Sequence, residues 1–462
     1  MATLHEDAPA ITDETPWPDR RLAWFALALL VAALVASQLD RMLINLVVGP
    51  VKQEFGLNDT QFAMLQGIAF GLFYATMPIP LGMLADRIQR RVVIGVGIGL
   101  FSVFSMATGM ARSYTQLFLA RMGVGIGEAS VAPAGFSIIS DYFPPHRLGR
   151  AISLFTMGST IGTAGAYIGG GAVIGWLTAL ASPETGLFMG AKPWQLAFFF
   201  VSLPGLLLTP CFFLLREPRR RGLLGRERPA SFRQLWPEFR RCGSFLVLFL
   251  AGMSMVTTVS YAVTVWTPAV FMRVYGWTAP QIGLWFGLLM LVCGAPGSFF
   301  GGWMVDRLRA RGVVDAPLKV GAIAFAGCGV AGTLAPLMPT APLALLMLAP
   351  AIFLKFVPFA CAPTALQLIV PNELRSQVSA LYLSVISLVG ITVGPIVVGL
   401  LTDHVFHSPV QVRYSLAIVV ACASPIMVVL VLMSCGAYRR LAAAPGRGSL
   451  GAALEAQTDA GR

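Results

Sequence analysis

The sequence has 462 residues, of which 12% are charged and 56% are hydrophobic, with a mean hydropathy of +0.75. Soluble globular domains are about one quarter charged, so this composition excludes a cytosolic enzyme, a disordered chain and a nucleic-acid-binding protein, despite a net charge of +12. Because about twenty apolar residues cross the hydrocarbon core once, the length allows roughly a dozen crossings. The predicted fold class is an all-α polytopic membrane protein.

The chain begins with an acidic segment, residues 1–21, which lacks the basic start of a secretory signal and is predicted to be a cytoplasmic tail. Twelve apolar segments follow, bounded by charges or by Gly/Pro turns. They form two predicted six-helix bundles, 22–215 and 243–437, joined by a basic cytoplasmic linker, 216–242, and followed by a cytoplasmic tail, 438–462. The predicted spans are 22–48, 61–85, 92–111, 115–140, 148–178, 194–215, 243–271, 279–305, 318–338, 341–370, 376–402 and 412–437.

The distribution of lysine and arginine predicts the orientation. Cytoplasmic loops of membrane proteins carry the excess of these residues. Of the 33 in this chain, only five fall in the predicted outer loops: Lys52, Arg112, Lys192, Arg273 and Arg413. Both termini are therefore predicted to lie in the cytoplasm.

A short motif recurs in the two halves. Gly82-Met-Leu-Ala-Asp86-Arg87 ends span two, and Gly302-Trp-Met-Val-Asp306-Arg307 ends span eight. The first copy continues to Arg90 and Arg91, and it resembles the signature loop of the major facilitator superfamily, with Gln89 in place of the usual glycine. Leu215-Arg216-Glu217-Pro218 also resembles that family. The resemblance implies twelve helices in two bundles around a central cavity and transport by alternating access.

The repeated loop suggests a gating role. Asp86 is expected to accept hydrogen bonds from the N-terminal amides of span eleven near Arg375, while the neighbouring arginines pair with acidic residues. Asp306 and Arg307 are expected to mirror this contact against span five near Arg147. The alternative is that these residues only mark the cytoplasmic face. The predicted gating residues are Asp86, Arg87, Arg90, Arg91, Asp306, Arg307, Arg147 and Arg375.

Four ionisable residues lie within spans one and four, Asp40 and Arg41 in the first and Arg121 and Glu128 in the second. Charges in a membrane interior normally face a cavity and pair. At a rise of about 1.5 Å per residue, Asp40 and Arg121 lie at similar depths, whereas Glu128 lies about two turns deeper on the same face as Arg121. An Asp40–Arg121 pair is predicted, and we hypothesise that Asp40 and Glu128 exchange protons as they change arginine partners. The alternative is a permanent salt-bridge cluster.

A fifth charge, Lys355, lies in span ten between Pro350 and Pro358. It is predicted to anchor an anionic headgroup of the substrate, and the alternative is a lysine that snorkels or bonds to carbonyls freed by the prolines. The predicted substrate-binding residues are Lys355, Glu128, Arg41, Tyr261, Trp266, Gln367 and Tyr382, although most aromatic residues in such proteins serve packing.

The run Gly125-Ile-Gly127-Glu128-Ala129-Ser130, together with Asp40-Arg41, resembles the spinster family of facilitator transporters. The resemblance implies a bacterial inner-membrane transporter of lysolipids or sphingoid phosphates. It also implies that Asp40, Arg41, Arg121 and Glu128 couple protons to transport. The expected partners are the bilayer and a small amphipathic or anionic substrate, with a monomeric chain, no nucleic acid and the proton gradient in place of any cofactor or metal.

Other classes receive less support from the sequence. It contains no phosphate-binding loop, no His-Glu-x-x-His and no Gly-x-Ser-x-Gly, so neither an ATP-driven pump nor an enzyme is predicted. The remaining alternatives are a proton-coupled multidrug or organic-anion transporter and, from a different class, a non-transporting membrane sensor.

Overall fold

The computed structural model describes residues 17–180, 191–218, 232–370 and 375–443, and every regular element in these residues is helical. Within these ranges twelve helices are long and apolar enough to cross a membrane, which confirms the predicted fold class. Each helix end lies within five residues of the predicted one. They are α1 Arg20–Leu46, α2 Asp59–Ala85, α3 Arg90–Met110, α4 Tyr114–Tyr142, α5 Arg147–Leu180, α6 Pro193–Leu214, α7 Cys242–Val274, α8 Ala279–Arg309, α9 Ala316–Leu337, α10 Ala341–Ile369, α11 Val378–Phe406 and α12 Pro409–Ala442.

Polar side chains just before the first turn start several of these helices. The Asp19 carboxylate accepts from the Arg21 amide at the start of α1. Asn58 and Gln61 form a capping box at the start of α2, in which each side chain accepts from the other residue's amide. These bonds satisfy amides that have no partner within the helix, and they explain why the spans begin where the apolar runs begin.

Two helices that occupy equivalent places in the halves share an irregularity. Helix α2 contains a π-helical segment, Leu65–Leu72, and α8 contains another, Met290–Gly294. Such segments are rare in proteins and occur most often at functional sites. Helix α11 contains a third such segment, Leu401–Phe406, so the irregularity is shared by α2 and α8 but is not confined to them.

Contacts divide the chain into two compact units, and the division departs from the sequence halves at two places. Unit 1 contains most of the first half together with Thr278–Gly287, whereas unit 2 contains most of the second half together with Asn58–Gly67. The chain thus passes from one unit to the other within α2 and within α8, close to the π-helical segments.

Within unit 1, α5 packs closely on α1 through two glycines. A Cβ atom added at Gly162 would lie 3.1 Å from the Cα atom of Val35, and one added at Gly158 would lie 3.2 Å from the side chain of Val31. The Gly-x-x-x-Gly pattern of span five therefore serves close helix packing.

Candidate functional site

The first charged pair of unit 1 joins α1 to α4. The Arg121 guanidinium donates to the Asp40 carboxylate at 2.7 Å, and the Ser105 hydroxyl of α3 donates to the other carboxylate oxygen at 2.5 Å. Asp40 is 1% exposed and Arg121 is 0% exposed. The pair predicted from helical depth is thus formed inside the unit, where charges are tolerated only with such partners.

The second charged pair joins the same helices one layer away. Arg41 donates to Glu128 at 2.7 Å, and the two residues are 7% and 4% exposed. The Arg41 guanidinium also lies over the rings of Tyr74 and Phe70, at 4.1 and 4.7 Å from their centroids. Cations over aromatic faces are attracted by the ring quadrupole. Arg41 is therefore held by one carboxylate and two rings of α2.

The sequence did not predict the Arg41–Glu128 pair, which gives Glu128 a partner of its own. Asp40 and Arg41 are consecutive, so their side chains leave α1 about 100° apart, and the long arginine side chain covers the remaining distance. Residue spacing gives depth along a helix but not the direction that a flexible side chain takes. The sequence signal for a second pair is that spans one and four together contain two acidic and two basic residues, so each acid can have an arginine partner.

Glycines of α4 make this crowded arrangement possible. A Cβ atom added at Gly125 would lie 2.6 Å from the carbonyl oxygen of Phe70, and one added at Gly127 would lie 2.6 Å from that of Gly97. Real Cβ atoms do not approach so closely, so only glycine lets α2 and α3 pack this tightly on α4 beside Glu128. The run Gly125-Ile-Gly127 is therefore a packing requirement of the charged site.

Helix α4 is interrupted immediately after Glu128. The first helical segment ends at that residue, and a turn at Ala129 and Ser130 precedes the second segment. Pro133 lacks an amide hydrogen and removes one bond of the regular pattern there. Glu128 thus lies at the end of a helical segment, beside a local break in the backbone.

Two further bonds of unit 1 hold α1 against α5 on either side of the charges. The Gln38 amide donates to the Ser159 hydroxyl at 2.7 Å, and the Asn45 amide donates to the Tyr167 hydroxyl at 3.2 Å. Both donors are buried. The helix that carries Asp40 and Arg41 is therefore positioned by polar bonds above and below them.

Lys355 lies in unit 2 and is 2% exposed. Its ammonium group donates to the Thr264 hydroxyl of α7 at 3.3 Å and lies 5.3 Å from the centroid of the Phe356 ring. In the part of the chain that the structure describes, no carboxylate forms an ion pair with it. A buried ammonium group whose partners in the described residues include no carboxylate suits an anchor for an anion, and that role stays a prediction.

The other predicted substrate-binding residues occupy different environments of unit 2. The indole of Trp266 is fully buried and donates to the carbonyl of Pro395, and Tyr382 is buried in a stack with Phe249. Tyr261 is partly exposed and Gln367 is exposed. Trp266 and Tyr382 thus hold helices together in this structure, and the binding roles of all four stay predictions.

At the end of unit 1 that carries the repeated loop, Arg90 forms a buried network. It donates to Asp141 at 2.5 Å and to Glu217 at 2.9 Å, and Arg91 donates to the carbonyls of Phe213 and Leu215. The loop arginines therefore bind acidic residues and carbonyls of their own unit, linking α3, α4 and the end of α6.

The remaining predicted gating residues show fewer contacts. Arg87, Asp306 and Arg307 are exposed, and Arg307 lies over the ring of Trp303 at 5.3 Å. Arg147 lines a cavity of unit 1. The side chains of Asp86 and Arg375 lie outside the described residues, so the proposed contact of Asp86 stays a prediction.

Sequence reasoning missed a polar network at the start of α2, inside unit 2. The Asp403 carboxylate of α11 accepts from the amides of Asp59 and Thr60 at 3.1 and 2.6 Å, and from the Thr60 hydroxyl. Asp59 in turn forms a two-pronged ion pair with Arg273, with both N···O distances at 2.8 Å. A Cβ atom added at Gly399 would lie 2.9 Å from the Asp59 carbonyl oxygen.

This network uses the same residue spacing as the repeated loop. Gly399-Leu-Leu-Thr-Asp403 has the Gly-x-x-x-Asp pattern of Gly82–Asp86 and Gly302–Asp306. At Gly399 the glycine admits the first turn of another helix, and the aspartate binds the amides of that turn, which carry partial positive charge. The Gly-x-x-x-Asp spacing at Gly399–Asp403 is therefore the sequence signal that indicates this network.

Twelve spanning helices with ion pairs buried inside a unit define a multi-pass membrane protein of the transporter type. The Major Facilitator Superfamily model matches residues 30–395, and the chain belongs to this family, whose members are transporters and not enzymes.

The chain is 27% identical over 406 residues to an MFS-type efflux pump of Mycolicibacterium smegmatis, covering 86% of this chain and 89% of the pump. It is 28% identical over 352 residues to a probable L-galactonate transporter of Escherichia coli, covering 72% and 73% of the two chains. A solved bacterial homologue of the human lysosomal transporter spinster is 25% identical, with a TM-score of 0.74 and 92% and 98% of the two chains covered. The predicted resemblance to spinster proteins is thus confirmed.

Proposed function

We propose that this transporter couples substrate movement to protons in a bacterial inner membrane and carries an anionic amphipathic substrate, of the lysophospholipid or sphingoid phosphate type, by alternating access. The observation that carries the proposal is the pair of ion pairs Asp40–Arg121 and Arg41–Glu128, buried inside unit 1. Ionisable groups at membrane depth are rare and mark ion or substrate pathways. Two acids beside two arginines supply both a proton acceptor and an anion-binding cation.

Glu128 is the proposed proton carrier. The charged groups around it are Arg41, its direct partner, and Asp40 with Arg121 in the neighbouring pair. When Glu128 takes up a proton, its carboxylate charge disappears and the ion pair with Arg41 weakens. Arg41 then remains over Tyr74 as a buried cation that an anionic substrate group can neutralise. Proton binding and substrate binding are thereby coupled at one guanidinium.

Lys355 is the proposed second contact for an anionic headgroup. Its ammonium group is buried in unit 2 with only the Thr264 hydroxyl as a hydrogen-bond acceptor that the structure records. An anion that reaches it gains a charge-assisted hydrogen bond, which is stronger than the bond to a neutral hydroxyl. This favours phosphate or carboxylate substrates over neutral ones.

The network of Asp403 with the start of α2 is proposed to control access at the outer end. Alternating access requires contacts that form in one state and break in the other. The first turn of α2 is bound to α11 and α7 by Asp403 and Arg273, whereas α2 from Ile68 onwards belongs to unit 1. The shared Gly-x-x-x-Asp spacing supports the proposal that Asp86 binds a helix start at the inner end.

The relatives point to two competing substrate classes. Similarity to a probable L-galactonate transporter supports a small sugar acid, which would use the same cations without needing an apolar wall. Similarity to an efflux pump supports a drug-like substrate.

A transport assay distinguishes these classes. The purified chain is reconstituted in proteoliposomes with an imposed pH gradient, and uptake of lysophosphatidylglycerol, sphingosine phosphate, galactonate and a cationic dye is compared. The proposal predicts gradient-dependent movement of at least one of the two lipids, faster than that of the dye or of galactonate. Faster movement of galactonate would replace the lipid assignment with an organic-anion transporter, and faster movement of the dye would replace it with a drug transporter.

A further inference from the structure

A cavity of about 390 Å³ lies in unit 1, where the start of α1 meets the junction of α4 and α5. Two arginines and four aromatic residues contribute to its wall: Arg20, Arg147, Trp17, Trp24, Tyr142 and Phe143. The Trp24 and Phe143 rings meet edge to face at 5.2 Å, so one side of the cavity is a packed aromatic surface. Arg147 is also a predicted gating residue, and the other residues of this cavity have no role in the proposed transport site.

The cavity is positively charged. In the described part of the chain, neither Arg20 nor Arg147 forms an ion pair with a carboxylate. Both acidic residues nearest in sequence have other partners, since Asp19 accepts from the Arg21 amide and Asp141 pairs with Arg90. Two guanidinium groups therefore remain for an anion, and guanidinium matches phosphate geometry well.

The position of the cavity favours a lipid over a soluble anion. Helix α1 begins at Arg20, so the cavity lies at the level where the hydrocarbon region meets water. Tryptophan and tyrosine prefer this level in membrane proteins, and basic pockets at helix ends bind anionic headgroups. A soluble phosphate would contact only the arginines, whereas a phospholipid would also cover the aromatic wall.

We propose that this cavity binds the phosphate headgroup of an anionic membrane phospholipid as a bound lipid, distinct from the transported substrate. Arg20 and Arg147 hold the phosphate, and the Trp24 and Phe143 rings contact the glycerol and the upper part of the acyl chain. This proposal does not depend on whether the transported substrate is a lipid, a sugar acid or a drug, because the cavity contains none of the charged residues of the transport site.

The test is binding of dioleoyl phosphatidylglycerol to the purified full-length chain in detergent, measured by native mass spectrometry. Dioleoyl phosphatidylcholine and soluble glycerol phosphate are the comparison ligands. The double variant R20Q/R147Q is expected to bind phosphatidylglycerol roughly thirtyfold more weakly, since each basic residue contributes about a factor of five near an anionic headgroup. The matched control R21Q/R150Q removes the same charge from two exposed residues that do not line the cavity, and it is expected to bind normally.

Several outcomes would overturn the proposal. If R20Q/R147Q and R21Q/R150Q lose phosphatidylglycerol binding equally, the attraction is general to the charged surface and not specific to the cavity. If the wild type binds phosphatidylcholine as tightly as phosphatidylglycerol, the site does not require an anionic headgroup. Equal binding of glycerol phosphate would make this a soluble-anion site. The variant R20K/R147K keeps both charges and is expected to retain most of the binding. If R20Q/R147Q does not fold, undiminished phosphatidylglycerol binding by a folded R147Q would contradict the role of the cations.

Discussion

Arg41 and Glu128 form an ion pair of 2.7 Å in the interior of unit 1, one layer from the Asp40–Arg121 pair. Each acid has its own arginine, and both arginines lie against the Phe70 ring, at 4.7 and 5.5 Å from its centroid. A change of charge on either acid therefore alters the environment of both cations. This arrangement suits a site in which proton uptake and anion binding depend on each other.

The Asp40–Arg121 pair is expected to stabilise the fold as well as to support transport. Replacing Arg121 with Gln leaves the Asp40 carboxylate buried without a cation, and we expect a loss of about 3–5 kcal/mol of unfolding free energy. Chemical unfolding of the wild type and of R121Q in detergent measures this difference in unfolding free energy. The control R112Q changes an exposed arginine and is expected to cost little. If R121Q/D40N is no more stable than R121Q, the buried charge is not the cause.

The glycine run of α4 is expected to be intolerant of even one methyl group. Gly127→Ala places a Cβ atom 2.6 Å from the Gly97 carbonyl oxygen, so α3 and α4 must separate beside Glu128. We expect a loss of about 1–3 kcal/mol in stability together with reduced transport. Gly169→Ala in α5 is the control, because a Cβ atom there meets nothing within 4 Å. Equal behaviour of the two variants would contradict the packing account.

Asp403 is expected to hold the first turn of α2. In Asp403→Asn the charge-assisted bonds to the Asp59 and Thr60 amides weaken, and hydrogen exchange at these amides should accelerate roughly tenfold or more. Hydrogen–deuterium exchange with mass spectrometry measures the exchange rate of the peptide that contains these amides. Asp306→Asn removes the aspartate of another Gly-x-x-x-Asp element and serves as the control. Unchanged exchange in Asp403→Asn would refute its role at this helix start.

Lys355 is expected to discriminate among substrates by charge. Lys355→Ala removes a buried cation and should weaken transport of anionic substrates about tenfold or more, while neutral analogues are affected less. Uptake of an anionic substrate and of its neutral analogue, each measured over a range of concentrations, gives the two losses separately. Lys319→Ala is the control, because that lysine is partly exposed and already pairs with Asp315. Equal losses for anionic and neutral substrates would favour a structural role for Lys355 in its proline-containing helix.

The sequence predicts most of the architecture because membrane spans have a strong, local signal. The predicted first span, 22–48, corresponds to the helix Arg20–Leu46, and the predicted tenth span, 341–370, corresponds to Ala341–Ile369. The Asp40–Arg121 pair was predictable because depth along two helices follows from residue counting.

The features that the sequence did not predict depend on the direction of individual side chains and on contacts between residues far apart in the chain. The Arg41–Glu128 pair depends on the path of a long side chain, and the π-helical segment Leu65–Leu72 has no clear sequence signature. The contact of Asp403 with Thr60 joins residues 343 positions apart, at the ends of two spans, where single polar residues look like ordinary caps. Such contacts arise only from the packing of whole helices.

The most direct test of the central claim is proton-driven transport by Glu128→Gln, a variant that cannot ionise at this position. Proteoliposomes containing it are compared with wild type and with Glu54→Gln, which changes a glutamate paired with Lys192 outside the buried site. We expect Glu128→Gln to lose pH-gradient-driven uptake while substrate exchange without a gradient continues, and Glu54→Gln to retain both. Undiminished gradient-driven uptake by Glu128→Gln would contradict the role of Glu128 as the proton carrier.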